Sequence, residues 1–415
     1  MKDVQLALDS AVKFLLGPSS IDDSTTKAKS GFYGFQNTTK PMRETDKPFI
    51  FYEISGYGIN LLLKLYKWYN DPKFLDLAKK TGESILLGQV NSNNPKTNGA
   101  FFDRFYPDSG NFFETFHVYP NAVCAGALCE LYHETKDKRF LESARKTTKW
   151  LFEMLERKDD KCIGFKEFFS QSEKSDKVYP YESICIPFIL LKFQNDLEIS
   201  EEQKKDLDSA ISWGVQSQTS EGVFPFFYQP LQNKFNETAY SHFTIYPLYN
   251  LMGFPLSELE DMGQRGCFAA FQKCVNWLTK VQDVDGGFYT YYHKDGHVWH
   301  KQSPPIGQAL CSFVHLYEKT GEKKFLDAAT KAANWLVTNQ LKDSQFAGAF
   351  YWVYPNKHLS GLQKKIAYAK ERVVGKISSS EYVSDVTVLL DKIPIWPVQF
   401  AIEGLYRFNN LQGLS

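Results

Sequence analysis

The sequence predicts an all-α protein built from a sixfold repeat of helix pairs, and three observations support this. A Gly-aromatic segment recurs six times along the 415 residues, an apolar helix follows each copy, and a turn and an amphipathic helix follow most of the apolar helices. Helices that are apolar on every side are buried, whereas amphipathic helices bury one face only. The pattern therefore predicts an inner ring of six helices inside an outer ring, which is an (α/α)6 toroid.

The Gly-aromatic segment marks the repeat. Successive copies are separated by 68, 65, 58, 64 and 62 residues, and their first glycines are Gly31, Gly99, Gly164, Gly222, Gly286 and Gly348. We expect these turns to form short β-hairpins at the mouth of the toroid, the face where the inner helices begin.

The inner helices are predicted at 52–66, 118–132, 179–193, 237–251, 303–317 and 394–408. No helix follows the last of them, so the N-terminal helix, predicted at 4–16, is expected to pair with it and close the ring. This gives one domain over 1–415. An open solenoid is the alternative, but neither end shows the polar capping repeat that a solenoid needs.

Residues 359–390 do not fit the repeat and are predicted to form a helical insertion before the sixth inner helix. The segment 361–376 is a basic amphipathic helix. It is interpreted as a solvated connection, with a lid or a partner-binding element as alternatives.

Composition excludes several classes of function. Lys plus Arg and Asp plus Glu are both 48, so the net charge is zero, which disfavours nucleic-acid binding. No apolar run approaches the roughly 18 residues of a membrane span, and the N-terminus shows no secretory signal. The seven cysteines fall mainly in apolar helices, as reduced thiols do, so a cytoplasmic location is predicted. The cysteine and histidine spacing indicates no metal site, no cofactor is predicted, and the oligomeric state is left open.

Polar residues in the first turns of the inner helices are the candidate site, because these turns line the floor of a toroid's central funnel. The candidate catalytic residues from this argument are Glu53, Glu182, Tyr240 and His242. The candidate substrate-binding residues there and in the mouth loops are Tyr57, Arg104, His117, Asn121, Gln308, Trp396 and Gln399. A structural role for Glu53 and Glu182, bonding backbone N–H groups at helix starts, is the alternative.

Aromatic residues make up 16% of the chain, with 34 Phe, 23 Tyr and 8 Trp. Most of them are expected in the core, but several tyrosines fall on turns that face the funnel. Sugar rings stack their C–H faces on aromatic rings while their hydroxyls bond polar groups nearby. An oligosaccharide or polysaccharide is therefore the predicted partner.

Two segments resemble the punctuation of known toroid proteins. One carries Trp277, Gln282 and Gly286-Gly287-Phe288, and the other carries Trp335, Gln340 and Gly348. The spacing is similar to the W-x-x-x-x-Q-x-x-x-G-G-F pattern of α/α-toroid proteins, which include terpene cyclases and many carbohydrate-active enzymes. The aspartate motifs of terpene cyclases, the zinc set of prenyltransferases and the paired histidines of N-acylglucosamine 2-epimerases are not matched.

The first third of the chain resembles the C-terminal catalytic domain of D-glucuronyl C5-epimerases. The likeness runs from Gly56 through the helix pair to the loop Gly99-Ala100-Phe101-Phe102-Asp103-Arg104-Phe105-Tyr106-Pro107. This resemblance implies that Tyr106 is an acid/base residue. The family's Gly-Gln element is replaced by Ser55-Gly56-Tyr57, which is a departure from the family pattern.

The sequence is compatible with three functions. C5-epimerisation of a uronic-acid-containing glycan, or the related lyase reaction, needs acid/base groups and a cation at the carboxylate. A tyrosine base needs a pKa lowered by positive charge, which Tyr106 beside Arg104 and Tyr240 beside His242 offer. A glycoside hydrolase with two carboxylates about 5–10 Å apart is the second mechanism, with Asp103 among its candidates. A non-catalytic glycan- or protein-binding toroid is the third reading.

Overall fold

Twelve α-helices form the scaffold of the described chain. The computed structural model describes residues 2–18, 20–22, 30–38, 47–170, 175, 177–236, 239–252, 267–293, 296–297, 300–342, 345–354 and 392–413. The helices within these ranges are α1 (Lys2–Leu15), α2 (Tyr52–Tyr69), α3 (Pro72–Leu87), α4 (Val118–Thr135), α5 (Lys138–Glu153), α6 (Glu182–Lys192), α7 (Glu201–Gln216), α8 (Ser241–Leu251), α9 (Cys267–Val281), α10 (Pro304–Thr320), α11 (Lys323–Asn339) and α12 (Trp396–Leu411).

The helices alternate between two layers. The inner helices pack in the order α2, α4, α6, α8, α10 and α12, and α12 packs back against α2. Each inner helix also packs against one outer helix: α3, α5, α7, α9 and α11 follow their inner partners in sequence. The N-terminal helix α1 packs against α12 and α11, as the sequence predicted for the partner of the last inner helix.

A glutamine–glycine contact holds neighbouring units together. Gln282 Nε2 donates to the carbonyl of Gly286, in its own turn, and to the carbonyl of Ala328, on the next outer helix. Equivalent bonds occur at Gln89, Gln218 and Gln340. The glycine has φ +92°, and a Cβ there would lie 2.1 Å from the carbonyl oxygen of Lys331, so only glycine fits this approach. The Trp-Gln-Gly pattern in the sequence is therefore a packing motif.

Short strands connect the helices, mostly at the mouth. They are β1 (Ile21–Asp22), β2 (Gly31–Phe32), β3 (Phe35–Asn37), β4 (Ile50–Phe51), β5 (Arg104–Tyr106), β6 (Asn111–Phe113), β7 (Phe116–His117), β8 (Leu155–Lys158), β9 (Lys161–Phe165), β10 (Phe168–Phe169), β11 (Tyr228–Gln229), β12 (Lys234–Phe235), β13 (Ala239–Tyr240), β14 (Tyr291–His293), β15 (Gly296–His297), β16 (Lys301–Gln302), β17 (Val353–Tyr354) and β18 (Lys392–Pro394). Several pairings join successive units, including β4 with β5, β7 with β10, and β16 with β17. All of the pairings between these strands are antiparallel.

The six inner helices are observed where the sequence predicts them, but three of them begin two to four residues later than predicted. The fourth was predicted from residue 237 and begins at Ser241, after strand β13, and the sixth was predicted from residue 394 and begins at Trp396. The third inner helix was predicted from residue 179, but the regular helix α6 begins at Glu182. The preceding turn closes through a bond from the Ser183 N–H to the Tyr179 carbonyl, 3.0 Å long, which the apolar pattern does not distinguish from helix. The predicted insertion at 359–390 lies outside the described residues.

Burial in the described chain agrees with a two-layer helical core. All seven cysteines are buried thiols. Within the described ranges, we find no helix that combines the length and the apolar character needed to cross a bilayer.

Candidate active site

Glu53 and Tyr57 lie one turn apart near the start of α2 and face the space between the inner helices. The Tyr57 hydroxyl donates to Glu53 Oε1 at 2.9 Å and lies 3.0 Å from the Tyr119 hydroxyl, on α4. The glutamate is half-buried, whereas both tyrosines are buried. A carboxyl group is thus held at the mouth by a chain of two neutral hydroxyls.

The surroundings of Glu53 raise the pKa of its carboxyl group toward neutral pH. Burial raises the pKa of the Glu53 carboxyl to about 7, although the hydrogen bond from Tyr57 lowers it and the charge of Asp103 raises it. A carboxyl group with this pKa exists in both protonation states near pH 7. It can therefore accept or donate a proton under those conditions.

Asp103, Arg104 and His117 form an ion-paired group beside Glu53. Asp103 Oδ1 lies 3.2 Å from His117 Nδ1, and Asp103 Oδ2 accepts from Arg104 Nε at 3.2 Å. The aspartate side chain is fully buried, whereas His117 is 29% exposed and Arg104 is 33% exposed. The aspartate therefore orients the histidine, and the histidine is the member that reaches solvent.

The pKa values within this group follow from its charges. Burial alone would raise the pKa of Asp103, but His117 and Arg104 together hold it below its ordinary value. Burial lowers the pKa of His117, but the nearby negative charge of Asp103, with a contribution from Glu167, raises it above its ordinary value. The protonated imidazole is thus favoured next to a carboxyl group that titrates near neutrality.

The guanidinium of Arg104 is held between aromatic rings. Its central carbon lies 4.7 Å from the centre of the Phe49 ring and 5.2 Å from that of Phe113. The predicted acid/base residue Tyr106 is half-buried and lies against the same Phe49 ring, at a centroid distance of 5.8 Å. The structure thus brings Tyr106 and Arg104 to one aromatic surface at the mouth.

Glu182, at the start of α6, is a buried carboxyl group of a different kind. Its Oε1 accepts from the Tyr181 hydroxyl at 2.9 Å, while its Oε2 is buried with no hydrogen-bond partner. Burial raises the pKa of Glu182 well above its ordinary value, the bond from Tyr181 lowers it, and the charges of Glu167 and Glu53 raise it further. Burial therefore favours the protonated form of Glu182, which is near enough to Glu53 to sense its charge.

Five rings from neighbouring inner-helix units meet below these polar groups, and we call them the tyrosine layer: Tyr57, Tyr119, Tyr181, Tyr246 and Phe400. Tyr119 lies 5.9 Å from Tyr181 and 5.4 Å from Tyr246 between ring centroids, and Tyr57 lies 5.2 Å from Phe400. Burial raises the pKa of Tyr57, Tyr119 and Tyr181 well above 10. These three hydroxyls stay protonated, so they act as hydrogen-bond donors rather than as bases.

The other predicted residues fall into three groups. Gln308 is fully buried and neither atom of its amide has a partner, while Gln399 Nε2 donates to the Ile54 carbonyl at 3.1 Å. Trp396 is buried with its ring edge-on to Trp352, at 4.8 Å. The side chains of the predicted catalytic residues Tyr240 and His242 lie outside the described part of the structure.

Asn121 has a structural role. Its Oδ1 accepts from the Phe101 N–H at 2.6 Å, and its Nδ2 donates to the carbonyls of Phe101 and His117. These bonds hold the Gly99 turn against the start of α4. We therefore leave Asn121 out of the site that we propose below.

Sequence reasoning named Asp103 only as one of several carboxylates and did not place Tyr119 or Tyr246 in the site. Tyr119 is the second residue of α4, as Glu53 is the second residue of α2. This equivalence in the repeat is the signal that could have placed Tyr119 in the site. Among the described residues, no group of three or more His, Cys, Asp or Glu side chains is placed to hold a metal ion.

The comparisons with known proteins show the fold. No protein-family model and no curated protein sequence matches the chain. Similar solved structures include a D-mannose isomerase, with a TM-score of 0.70 and 12% identity over 98% of this chain and 97% of that one. A cellobiose 2-epimerase from Bacillus thermoamylovorans has a TM-score of 0.68 and 14% identity, over 98% of this chain and 100% of that one.

A family 105 glycoside hydrolase from C. acetobutylicum is also similar, with a TM-score of 0.62 and 12% identity over 99% of this chain and 100% of that one. These structures are (α/α)6-toroid carbohydrate-active enzymes. At such low identity the likeness establishes fold alone. The chain therefore shares the helical fold of sugar epimerases, a sugar isomerase and glycoside hydrolases.

Proposed function

We propose that this protein is a carbohydrate-active enzyme that moves a proton at a carbon of a sugar ring, as an epimerase does. We further propose that its twelve helices form one closed (α/α)6 toroid around the site. The observation that carries the proposal is the placement of Glu53 beside the His117–Asp103 pair. Both Glu53 and His117 are partly exposed, and both have pKa values shifted upward by this environment.

The roles follow from the protonation states. Ionised Glu53 takes a proton from the sugar carbon, and protonated His117 returns a proton to it from the other side. Asp103 is a positioning residue, since it holds His117 Nδ1 and does not itself reach the surface. Tyr57 holds Glu53 through its hydroxyl. Each proton taken from carbon is matched by one given back, so the reaction changes configuration without a net change in composition.

The substrate that fits these groups is a sugar acid. A proton α to a carboxylate is removed more readily when cations stabilise the charge that develops on the carboxylate oxygens. Arg104 and His117 supply positive charge around Asp103, and the charge of His117 also acts on Glu53. The rings of Phe49 and Phe113 beside Arg104 offer an apolar surface for a sugar face. A uronic-acid unit of a glycan, as the resemblance to C5-epimerases implies, matches this combination.

Deuterium incorporation tests the proposal. The protein is incubated in D2O with a panel of uronate oligosaccharides and neutral disaccharides, and the products are analysed by NMR. Deuterium at C5 of a uronate supports the proposed reaction, and deuterium at C2 of a neutral sugar supports the same chemistry on a different substrate. Binding of a glycan without exchange would instead identify a non-catalytic carbohydrate-binding protein.

Glycoside hydrolysis is a second candidate, and the pairing of two acidic groups favours it. Glu53 and Glu182 are carboxyl groups near enough for their charges to interact, and burial raises the pKa of both, as the general acid of such a pair requires. The likeness to a family 105 glycoside hydrolase agrees with this reading. Hydrolysis would release new reducing ends without deuterium at C5.

The pH profile separates the two candidates. If Glu53 is the base of an epimerase, activity falls as the pH drops below about 7, because the carboxylate becomes protonated. If Glu53 is the general acid of a hydrolase, activity falls as the pH rises above about 7. The two candidate reactions therefore lose activity on opposite sides of the pKa of Glu53.

A further inference from the structure

A cavity lies on the far side of the tyrosine layer from the acid–base group. Its volume is about 310 Å³, and residues of α2, α4, α6, α8 and α12 line it. Along α2 the residues that face the central space run from Glu53 and Tyr57 to Asn60, Lys64 and Lys67. Since a helix rises about 1.5 Å per residue, Lys67 lies roughly 21 Å below Glu53 along the axis. Tyr57 forms the wall between the two regions.

Cations outnumber carboxylates around this cavity. Among the described residues of its lining, four are cations (Lys64, Lys67, Lys192 and Arg407) and two are carboxylates (Glu130 and Glu403). Lys192 pairs with Glu130 at 2.5 Å, and Lys67 pairs with Glu134 just outside the cavity. The side chains of Lys67 and Lys192 are 58% and 42% exposed, so both ammonium groups are accessible from solvent.

The ionic contacts of one buried glutamate keep the cavity in shape. Glu403, whose side chain is 3% exposed, lies 2.7 Å from Lys64 Nζ and 3.0 Å from an Arg407 nitrogen. These three residues tie α12 to α2 at this end. Because these contacts join two helices, the cavity is a fixed feature of the fold.

Most of the remaining wall is apolar, and the described part of it includes a buried polar atom that lacks a partner. Leu63, Val123, Phe188 and Ile189 provide aliphatic and aromatic surface, and Asn60 Oδ1 is buried without a hydrogen-bond partner. An apolar pocket of this size with a few polar groups is typical of sites for small molecules. A buried acceptor without a partner is costly unless water or a ligand satisfies it.

We propose that this cavity is a second binding site, separate from the acid–base group, for a small organic anion that has an apolar ring. The ring lies against Phe188 and Ile189, and the acid group meets Lys67 and Lys192. This site does not depend on the proposed reaction, since its residues and those of the acid–base group share only Tyr57.

A pair of matched probes tests the site on the full-length protein. The anionic probe is 8-anilinonaphthalene-1-sulfonate, and the neutral probe is N-phenyl-1-naphthylamine, which has the same rings without the sulfonate. Titration followed by fluorescence gives affinity and stoichiometry for each. We expect one anionic probe per chain, bound at least about tenfold more tightly than the neutral one, as charge-assisted bonds to two lysines require.

Variants locate the probe. The double variant Lys67→Met and Lys192→Met is expected to weaken the anionic probe about tenfold and to leave the neutral probe unchanged. Ile189→Trp fills the apolar part and is expected to remove both. Lys323→Met is the control, because Lys323 forms an exposed ion pair with Asp327 on an outer helix, away from the cavity. Circular dichroism and thermal unfolding confirm that each variant is folded.

Two results would overturn the proposal. One is binding of the anionic probe to the double variant and to Ile189→Trp with the affinity of the unmodified protein. The other is binding of several probes per chain with no preference for the sulfonate. Neither measurement uses turnover, so failure here is distinguishable from failure of the proposed reaction.

Discussion

The two ends of the central space each hold a carboxyl group on an inner helix, but in opposite surroundings. At the mouth, Glu53 accepts a bond from the neutral Tyr57 hydroxyl, and burial raises its pKa to about 7. At the far end, Glu403 is held by Lys64 and Arg407. The difference teaches that the groups bonded to a carboxyl group decide its role. A neutral partner leaves it able to exchange protons, and two cations make it a fixed structural ion.

Replacing Glu53 should have the largest effect on activity. Glu53→Gln keeps the shape and the contact with Tyr57 but cannot take a proton. We expect turnover to fall about 10²- to 10⁴-fold, the usual contribution of a general base. The measurement is the rate of deuterium incorporation at saturating substrate. Glu83→Gln is the matched control, since Glu83 pairs with Arg139 on the outer surface, and it should keep full activity.

Replacing Asp103 should have a smaller effect with a distinct pH signature. Asp103→Asn removes the charge that raises the pKa of His117, so His117 loses its proton at lower pH. We expect activity to fall about 10- to 100-fold and the alkaline limb of the pH profile to move to lower pH. A uniform loss at every pH, with no movement of that limb, would show that Asp103 matters only for folding.

Replacing Glu403 should affect stability first. Glu403→Gln leaves Lys64 and Arg407 facing each other across α2 and α12 without a carboxylate. A fully buried pair would cost about 3–5 kcal/mol when broken, but both cations are about one-third exposed, so we expect a loss of about 1–2 kcal/mol. Chemical denaturation measures it. A variant as stable as the unmodified protein would contradict the contrast between the two ends.

The smallest expected effect is on the pH dependence of stability. Because the folded-state pKa of Glu53 is about 7 against an ordinary 4.5, the folded protein binds this proton more tightly than the unfolded chain does. The stability that the folded protein gains from binding this proton is fully present below about pH 4.5 and is lost as the pH rises to about 7. Glu53→Gln lacks this loss, so its melting temperature at pH 7.5 should exceed that of the unmodified protein by roughly 1–2 °C. Equal melting curves at pH 7.5 would argue against the raised pKa.

Local sequence patterns predicted most of the scaffold. The glutamine of each Trp-Gln-Gly turn bonds to the glycine of its own turn and to the next outer helix. The same sequence spacing therefore recurs in each unit that makes this contact. The apolar inner helices were predicted for the same reason, since burial on every side leaves no polar stripe. Glu53 and Glu182 were found because polar residues are unusual in such helices.

Contacts between distant parts of the chain were not predictable in this way. Lys64 and Glu403 are 339 positions apart, and neither stands out within its own helix. His117 was predicted to bind substrate, but its pairing with Asp103, across a hairpin loop, was needed to see it as an acid. The side-chain spacing along α2 contained a further signal, because Asn60, Lys64 and Lys67 continue the face that begins at Glu53.

The contacts that join the two ends of the described chain have a consequence for how the molecule is made. Gln340 Nε2 donates to the Ala7 carbonyl, β18 pairs with β3, and Asn409 bonds to Gln5. During synthesis the first helix leaves the ribosome hundreds of residues before these partners exist. Folding should therefore finish only after the last helix is translated, and the early helix is exposed to chaperones in the meantime.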